Sequence, residues 1–148
     1  MVITYDGSPS TDRAGAPHPE KLTWFSSRLN YLLSRAEYFA AFAVCLVLFF
    51  IHITEVRWLP ALILFAYIDL VGYIPGLIVF KRSAGKPIPA VFHHLYNGTH
   101  NFVSAGIVAG LWAWLIRPEW ALLMLPLHLL ADRGLLGNFA KPAGEIFE

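Results

Sequence analysis

His93-His94-Leu95-Tyr96-Asn97-Gly98-Thr99-His100-Asn101 lies between a cationic loop, with Lys81, Arg82 and Lys86, and the apolar run 102–116. Its reading decides the fold. The run 102–116 alone falls short of the roughly 20 apolar residues that a helix needs to cross a bilayer. It becomes long enough only if the helix starts near Pro89 and carries the histidine-rich stretch with it. The chain then has four spans, at about 36–56, 59–80, 89–116 and 120–138, with a kink expected at Pro126. The expected fold is all-α, an integral membrane four-helix bundle.

Composition asks for the same environment. Of the 148 residues, 57% are hydrophobic and 14% charged, and the mean hydropathy is +0.55. A soluble domain of this size leaves too much surface in water to hide that apolar content. The net charge of +1 and the lack of a basic block give no nucleic-acid footprint, so no nucleic-acid partner is expected. A single cysteine, Cys45, rules out an internal disulfide or a thiolate metal cluster and reads as packing.

Residues 1–20 are rich in Gly, Ser, Pro, Asp and Thr, lack the apolar core of a signal peptide, and are expected to form a flexible tail ahead of a transmembrane domain at 21–148. Over 21–35, Leu22, Phe25, Leu29, Leu32 and Leu33 follow helical spacing, with Trp24 and Tyr31 as interfacial aromatics and Arg28 and Arg35 toward water. An N-terminal amphipathic helix at the membrane surface is expected; a plain extension of the first span fits the spacing equally well.

Arg13, Lys21, Arg28 and Arg35 precede the first span, Lys81, Arg82 and Lys86 fill the middle loop, and Arg133 and Lys141 follow the fourth span. The other two turns hold one basic residue each, Arg57 and Arg117. The positive-inside rule then places the protein in the cell membrane, multi-pass, with both termini cytoplasmic. Trp58 and Trp120 would mark the outer interface. Gly72 with Gly76, and Gly106 with Gly110, have the GxxxG spacing that lets helices approach in lipid, and would serve a homo-oligomer.

Ionisable groups within spans cost about 2.5–3.5 kcal/mol each on the insertion scale and are functional candidates by default. Glu37 opens the first span, and Asp69 lies near the middle of the second. On an unbroken third helix His93, Asn97, His100 and Ser104 would share one face. On the fourth, His128 and Asp132 stand at i, i+4, with Arg133 beside them. A carboxylate one turn from an imidazole orients it and raises its basicity, as general bases and metal ligands require. Each group also has a bland reading: Glu37 in a helix-end ion pair with Arg35 or Arg133, Asp69 bonded to a tyrosine, His128 with Asp132 as a structural bond. His93 and His94 are expected at the rim, and His52 lies at the opposite end.

Together these residues resemble a family of small bacterial membrane proteins catalogued as a domain of unknown function, number 4260. The likeness is carried by Leu32-Leu33-Ser34-Arg35-Ala36-Glu37, by Ile68-Asp69-Leu70-Val71-Gly72-Tyr73, by Tyr96-Asn97-Gly98-Thr99-His100, and by His128, Asp132, Arg133, Gly137 and Lys141. It covers about 32–141; the family's Thr-His-Leu-Gly ending is replaced by Gly144-Glu145-Ile146-Phe147-Glu148. The resemblance implies a four-helix membrane fold and supplies no activity. A shorter likeness, His94-Leu95-Tyr96-Asn97-Gly98, is similar to the His-x-x-Asn-Gly stretch of succinate dehydrogenase membrane anchors, which bind haem and quinone.

The polar set points to acid–base chemistry, an isomerisation, cyclisation or hydration, on a lipophilic small molecule. Asp69, His100, His128 and Asp132 would transfer protons. Tyr96 and Asn97 would orient substrate, Arg133 would offset charge, and Glu37 would complete the binding set. No cofactor is required. The alternatives are a metal or haem subunit with His100 and His128 as ligands, and a non-catalytic carrier or accessory subunit.

Overall fold

In a computed structural model, residues 28–84, 86–141 and 147 are described, and they form helices and turns with no strand among them. The expected tail at 1–20 and the start of the amphipathic segment lie outside the described residues. Helix α1, Arg28–Ile51, runs without interruption through Arg35 into the first apolar run. The segment expected to form a surface helix is therefore, from Arg28 onward, continuous with the helix of the first apolar run. No glycine or proline lies between Arg28 and Ile51 to stop the helix.

A 3-10 turn, Ile53–Glu55, leads to α2, Trp58–Gly72, and then α3, Ile74–Arg82. Pro75 removes one backbone donor at this junction. The Tyr73 N–H still bonds the Asp69 carbonyl at 2.9 Å, and the Leu77 N–H bonds that of Tyr73 at 3.0 Å. The two helices thus continue one another as a rod of 25 residues, Trp58–Arg82. This rod and α1, with 24 residues, are long and apolar enough to cross a membrane.

The third span is not one helix. It divides into α4, Ala90–Thr99, and α5, Phe102–Leu115. Asn101 makes the break from both sides. Its Oδ1 accepts the Ser104 N–H at 2.9 Å as the N-cap of α5, and its Nδ2 donates to the Asn97 and Gly98 carbonyls at 2.8 Å each. One side chain satisfies backbone groups that both helix ends leave unpaired. The face expected to run from His93 to Ser104 is cut at His100.

The fourth span also changes character along its length. A 3-10 turn, Trp120–Leu123, precedes α6, Met124–Ala131, and a π-helical turn, Asp132–Leu136, follows. Pro126 stands in the first turn of α6, just after the 3-10 segment. Its ring conflicts with an α-helical carbonyl four residues back, which accounts for the change of helix type there in place of a simple kink. Gly137 ends the turn at φ 71°, in the left-handed region that glycine enters freely.

Helix α6 is the axis of the fold. Leu125 and the four residues Leu127, His128, Leu129 and Leu130 are buried, because α1, α2 and α5 all pack around it. Gly134 lets the π turn touch α1: a β-carbon there would meet the Phe39 backbone at 2.7–2.9 Å. Arg35 donates to the Gly134 carbonyl at 3.2 Å and to that of Leu135 at 2.8 Å, so it caps the π turn and does not pair with Glu37. Gly72 and Gly76 are taken up inside the chain, Gly72 against Thr99 and His100 and Gly76 against the ring of Phe147. Gly106 and Gly110 have nothing within 4 Å of an added β-carbon and stay open.

Candidate functional site

Four side chains meet beside α6. Asp69 comes from the last turn of α2, His100 from the residue that ends α4, His128 from α6, and Asp132 from the first position of the π turn. His100 Nε2 lies 3.3 Å from Asp69 Oδ1 and 3.6 Å from Asp132 Oδ2. His128 Nε2 lies 3.6 Å from Asp69 Oδ1 and 3.7 Å from Asp132 Oδ2. Each histidine faces both carboxylates, and each carboxylate oxygen faces both histidines. The residues expected to transfer protons are the four that the fold brings together.

The break in the third span makes this possible. His100 leaves helical geometry at φ −89° and ψ 40°, and its ring turns inward over Tyr96, with centroids 3.9 Å apart and planes 15° from parallel. Its Nδ1 lies 3.1 Å from the Tyr96 carbonyl and 3.0 Å from Thr99 Oγ1. A carbonyl can only accept, and the Thr99 hydroxyl donates its proton to the Leu95 or Tyr96 carbonyl at 3.1–3.2 Å. Both neighbours therefore select the tautomer with the proton on Nδ1. Nε2 of the neutral ring is then a bare lone pair facing two carboxylates. Three acceptors converge, and a proton or a cation must stand between them.

His128 is held on its other side by the ring of Phe65, with centroids 4.7 Å apart. Its Nδ1 is buried with no hydrogen-bond partner among the described residues. The two imidazoles are 5–6% exposed, Asp132 17% and Asp69 42%, so the tetrad is reached from the Asp69 side. Among the described residues no arginine or lysine pairs with either carboxylate.

The remaining expected site residues have other duties. Arg133 lies beside the stacked rings of Tyr38 and Phe102, 5.1 and 4.8 Å from their centroids, and donates to the Tyr38 hydroxyl at 3.0 Å and the His100 carbonyl at 3.3 Å. It clamps α1 and α5 to the helix break and does not offset the carboxylate charge by contact. Asn97 uses both ends of its amide on the Lys141 backbone, at 2.7 Å each, and so pins the C-terminal segment instead of orienting a substrate. Tyr96 is buried as the wall on which His100 stacks. Glu37 is exposed on α1 and stands apart from the tetrad. His93, expected at the rim, is buried edge-on to Phe147 at 5.3 Å, whereas His94 is exposed.

Three contributors escape a residue-by-residue reading of the sequence: Gly72, Phe65 and Asn101. Phe65 carries no signal that separates it from other span aromatics. Asn101 does, because Asn-Gly-Thr-His-Asn concentrates residues that compete with helical backbone bonding.

Asp69, His100 and His128 each offer one ligand atom, all within 4.8 Å of one another, a grouping that could hold a metal ion. Haem does not fit. The carboxylate oxygens stand 3.3–3.7 Å from both Nε2 atoms, in the space that a porphyrin between the two rings would need.

A separate open cleft of about 530 Å³ lies at the other end of the helices, lined by Glu55, Arg117, Pro118, Glu119, Trp120 and Leu122. There Arg57 pairs with Glu119 at 3.5 Å, the Trp112 indole donates to Glu119 at 2.6 Å, and Trp120 donates to Glu55 at 3.1 Å. These contacts tie the two short turns together and leave no unsatisfied group directed at a ligand. None of the tetrad lines this cleft.

No protein-family model, curated protein or solved structure matches the chain significantly. The likeness to the small bacterial membrane family therefore rests on its motifs alone.

Proposed function

We propose that this chain is a multi-pass protein of the cell membrane, with both termini cytoplasmic, whose buried His/Asp tetrad carries acid–base chemistry on a lipophilic small molecule. Isomerisation, cyclisation and hydration are the reactions that such a set suits. The membrane part is supported by surface chemistry. In a soluble protein a helix as apolar as α1 would be mostly buried, yet 6% of its most apolar window is buried, and 22% of that of Trp58–Arg82. Val103 is 75% exposed and Trp114 80%, on a helix made almost wholly of apolar residues. Lipid is the solvent that suits such faces.

Orientation is supported by the ends of the rods. Arg57 and Arg117 sit with the interlocked short turns, whereas Arg35, Arg133 and Lys141 gather at the other end with the cationic middle loop. Of the two glycine pairs, Gly106 and Gly110 is the one still open to a second copy.

One observation carries the chemistry: His100 Nε2, bare in the tautomer that the Tyr96 carbonyl selects, faces Asp69 at 3.3 Å and Asp132 at 3.6 Å. A proton held there is shared by groups of similar reach in a largely dry setting, the arrangement from which proton transfer to a bound carbon or oxygen is easiest. Opening on the Asp69 side, along an apolar helix, suits a substrate that arrives from lipid.

A lipid mixture serves to test the reading while the substrate is still unidentified. Proteoliposomes bearing the full chain are incubated in D2O with a total lipid extract, and carbon-bound deuterium is read by mass spectrometry. Wild-type protein is expected to label a discrete species, and His128→Ala and Asp132→Asn to abolish the label while remaining inserted. Label retained in both variants, or absent with wild type, removes the acid–base reading.

A further inference from the structure

We infer that the tetrad is a binding site for a divalent transition-metal ion with tetrahedral preference, Zn2+ being the best match. The ligands are His100 Nε2, His128 Nε2 and Asp69 Oδ1, with the fourth position open to water or substrate and Asp132 Oδ2 facing both imidazoles from outside the group. The inference deepens the acid–base reading, since it rests on the same four side chains, with the ion in the place of the shared proton.

Distances make the first argument. Zinc binds imidazole nitrogen at about 2.0–2.1 Å and carboxylate oxygen at about 2.0–2.2 Å, so ligand atoms at the corners of a regular tetrahedron stand about 3.3–3.6 Å apart. The four nitrogen–oxygen edges are 3.3, 3.6, 3.6 and 3.7 Å. Hydrogen bonds of N–H to oxygen cluster near 2.9–3.0 Å, and three of these edges lie well beyond their range. The spacing of Asp69 from the two imidazoles, 3.3 and 3.6 Å, with all three ligand atoms within 4.8 Å of one another, suits an atom among the three better than direct contact between them.

Hydrogen bonding makes the second. A metal-ligating histidine usually donates its other N–H to a carbonyl or carboxylate, which fixes the tautomer and the ring direction. His100 does so through Nδ1 to the Tyr96 carbonyl at 3.1 Å. Stacking on Tyr96 and packing against Phe65 hold the two rings before any ion arrives.

Charge makes the third. Two carboxylates share the site, no arginine or lysine pairs with either among the described residues, and Arg133 is turned toward Tyr38 and the His100 carbonyl. An ion of charge +2 neutralises the pair. Ligand chemistry then selects among ions: two imidazoles suit zinc and its neighbours, whereas magnesium and calcium prefer oxygen ligands to imidazole nitrogen.

The full chain, purified in mild detergent and stripped with chelator, is titrated with Zn2+ by calorimetry and with Co2+ by visible absorption. One ion per chain and the intense visible bands of tetrahedral Co2+ are expected. Asp69→Asn and His128→Ala each lower affinity at least about 100-fold, while Gly106→Ala, where an added methyl meets nothing within 4 Å, leaves it unchanged. No saturable binding at micromolar Zn2+ or Co2+, an octahedral cobalt spectrum, or affinity unaltered in both ligand variants overturns the site. Deuterium labelling by the stripped protein separates the two proposals. Labelling without metal binding sinks the metal site and leaves acid–base catalysis; metal binding without labelling under any condition does the reverse.

Discussion

Gly72 and His100 meet across α2 and the end of α4 so closely that a β-carbon on Gly72 would lie 3.1 Å from the imidazole and inside the Thr99 hydroxyl. The glycine thus sets how near the helix break can come to Asp69, three residues earlier on the same helix. Gly72→Ala is expected to push the break outward, with a loss of about 1–3 kcal/mol typical of an overpacked contact. It should also disturb the tetrad. Gly106→Ala and Gly110→Ala, inside α5 where an added methyl meets nothing within 4 Å, should instead stabilise the isolated chain by the ~0.5–1 kcal/mol of helix propensity. Equal effects at all three positions in a denaturant series would show that lipid packing, and not the site, requires the glycine.

Asn101 offers a second handle on the same break. Its side chain caps α5 and supplies two donors to the end of α4. Asn101→Ala loses both functions and is expected to cost at least the ~0.5–2 kcal/mol of an N-cap. Asn101→Asp keeps the acceptor for the Ser104 N–H but faces the Asn97 and Gly98 carbonyls with oxygen. It should recover no more than part of the loss. Full recovery in chemical denaturation would mean that the bonds to α4 contribute nothing.

The tetrad was legible because each member is ionisable within an apolar run, and because His128 and Asp132 stand one helical turn apart. That such groups converge follows from the cost of leaving any of them in a dry setting without a partner. What stayed hidden was how His100 reaches the others. Span length argued for an unbroken helix over 89–116, while Asn-Gly-Thr-His-Asn argued locally for a stop and a fresh N-cap; the local chemistry prevailed, and it turned the His100 ring inward. The duties of Asn97 and Arg133 were illegible for another reason. Both act on distant backbone, Asn97 on Lys141 and Arg133 on His100, and a polar residue beside a site looks the same in sequence whichever way it points. Over 21–35 one spacing serves a surface helix and a longer span alike. Only the unbroken course of α1 from Arg28 separates them.

Arg133 distinguishes charge from shape. If it served as a counter-charge for the carboxylates, Arg133→Lys would retain its effect. The guanidinium instead lies against the stacked Tyr38 and Phe102 rings and sends separate donors to the Tyr38 hydroxyl and the His100 carbonyl. An ammonium cannot reproduce that fork. Arg133→Lys is therefore expected to be nearly as destabilising as Arg133→Gln, each by about 1–3 kcal/mol for the lost charge-assisted bonds. Thermal unfolding in detergent reads the comparison, and a lysine variant as stable as wild type would contradict the clamp.

Glu55 gives the chain a pH-sensitive joint outside its long helices. Its carboxylate accepts from His52 Nδ1 at 2.9 Å and from the Trp120 indole N–H at 3.1 Å, and the His52 ring stacks on Trp120 at 3.6 Å. The hydrogen bond to His52 first, and that to Trp120 second, hold the carboxyl below its usual range. A depressed carboxylate stabilises the fold above its unfolded value, about 4.3, and that contribution is lost as pH falls through the lower, folded value. The Glu55-dependent step in the Trp120 indole resonance, the one that Glu55→Gln removes and a change at the stacked His52 ring does not, should therefore fall below about 4.3. A Glu55-dependent step at or above the ordinary glutamate range would show that neither bond holds the carboxylate in solution.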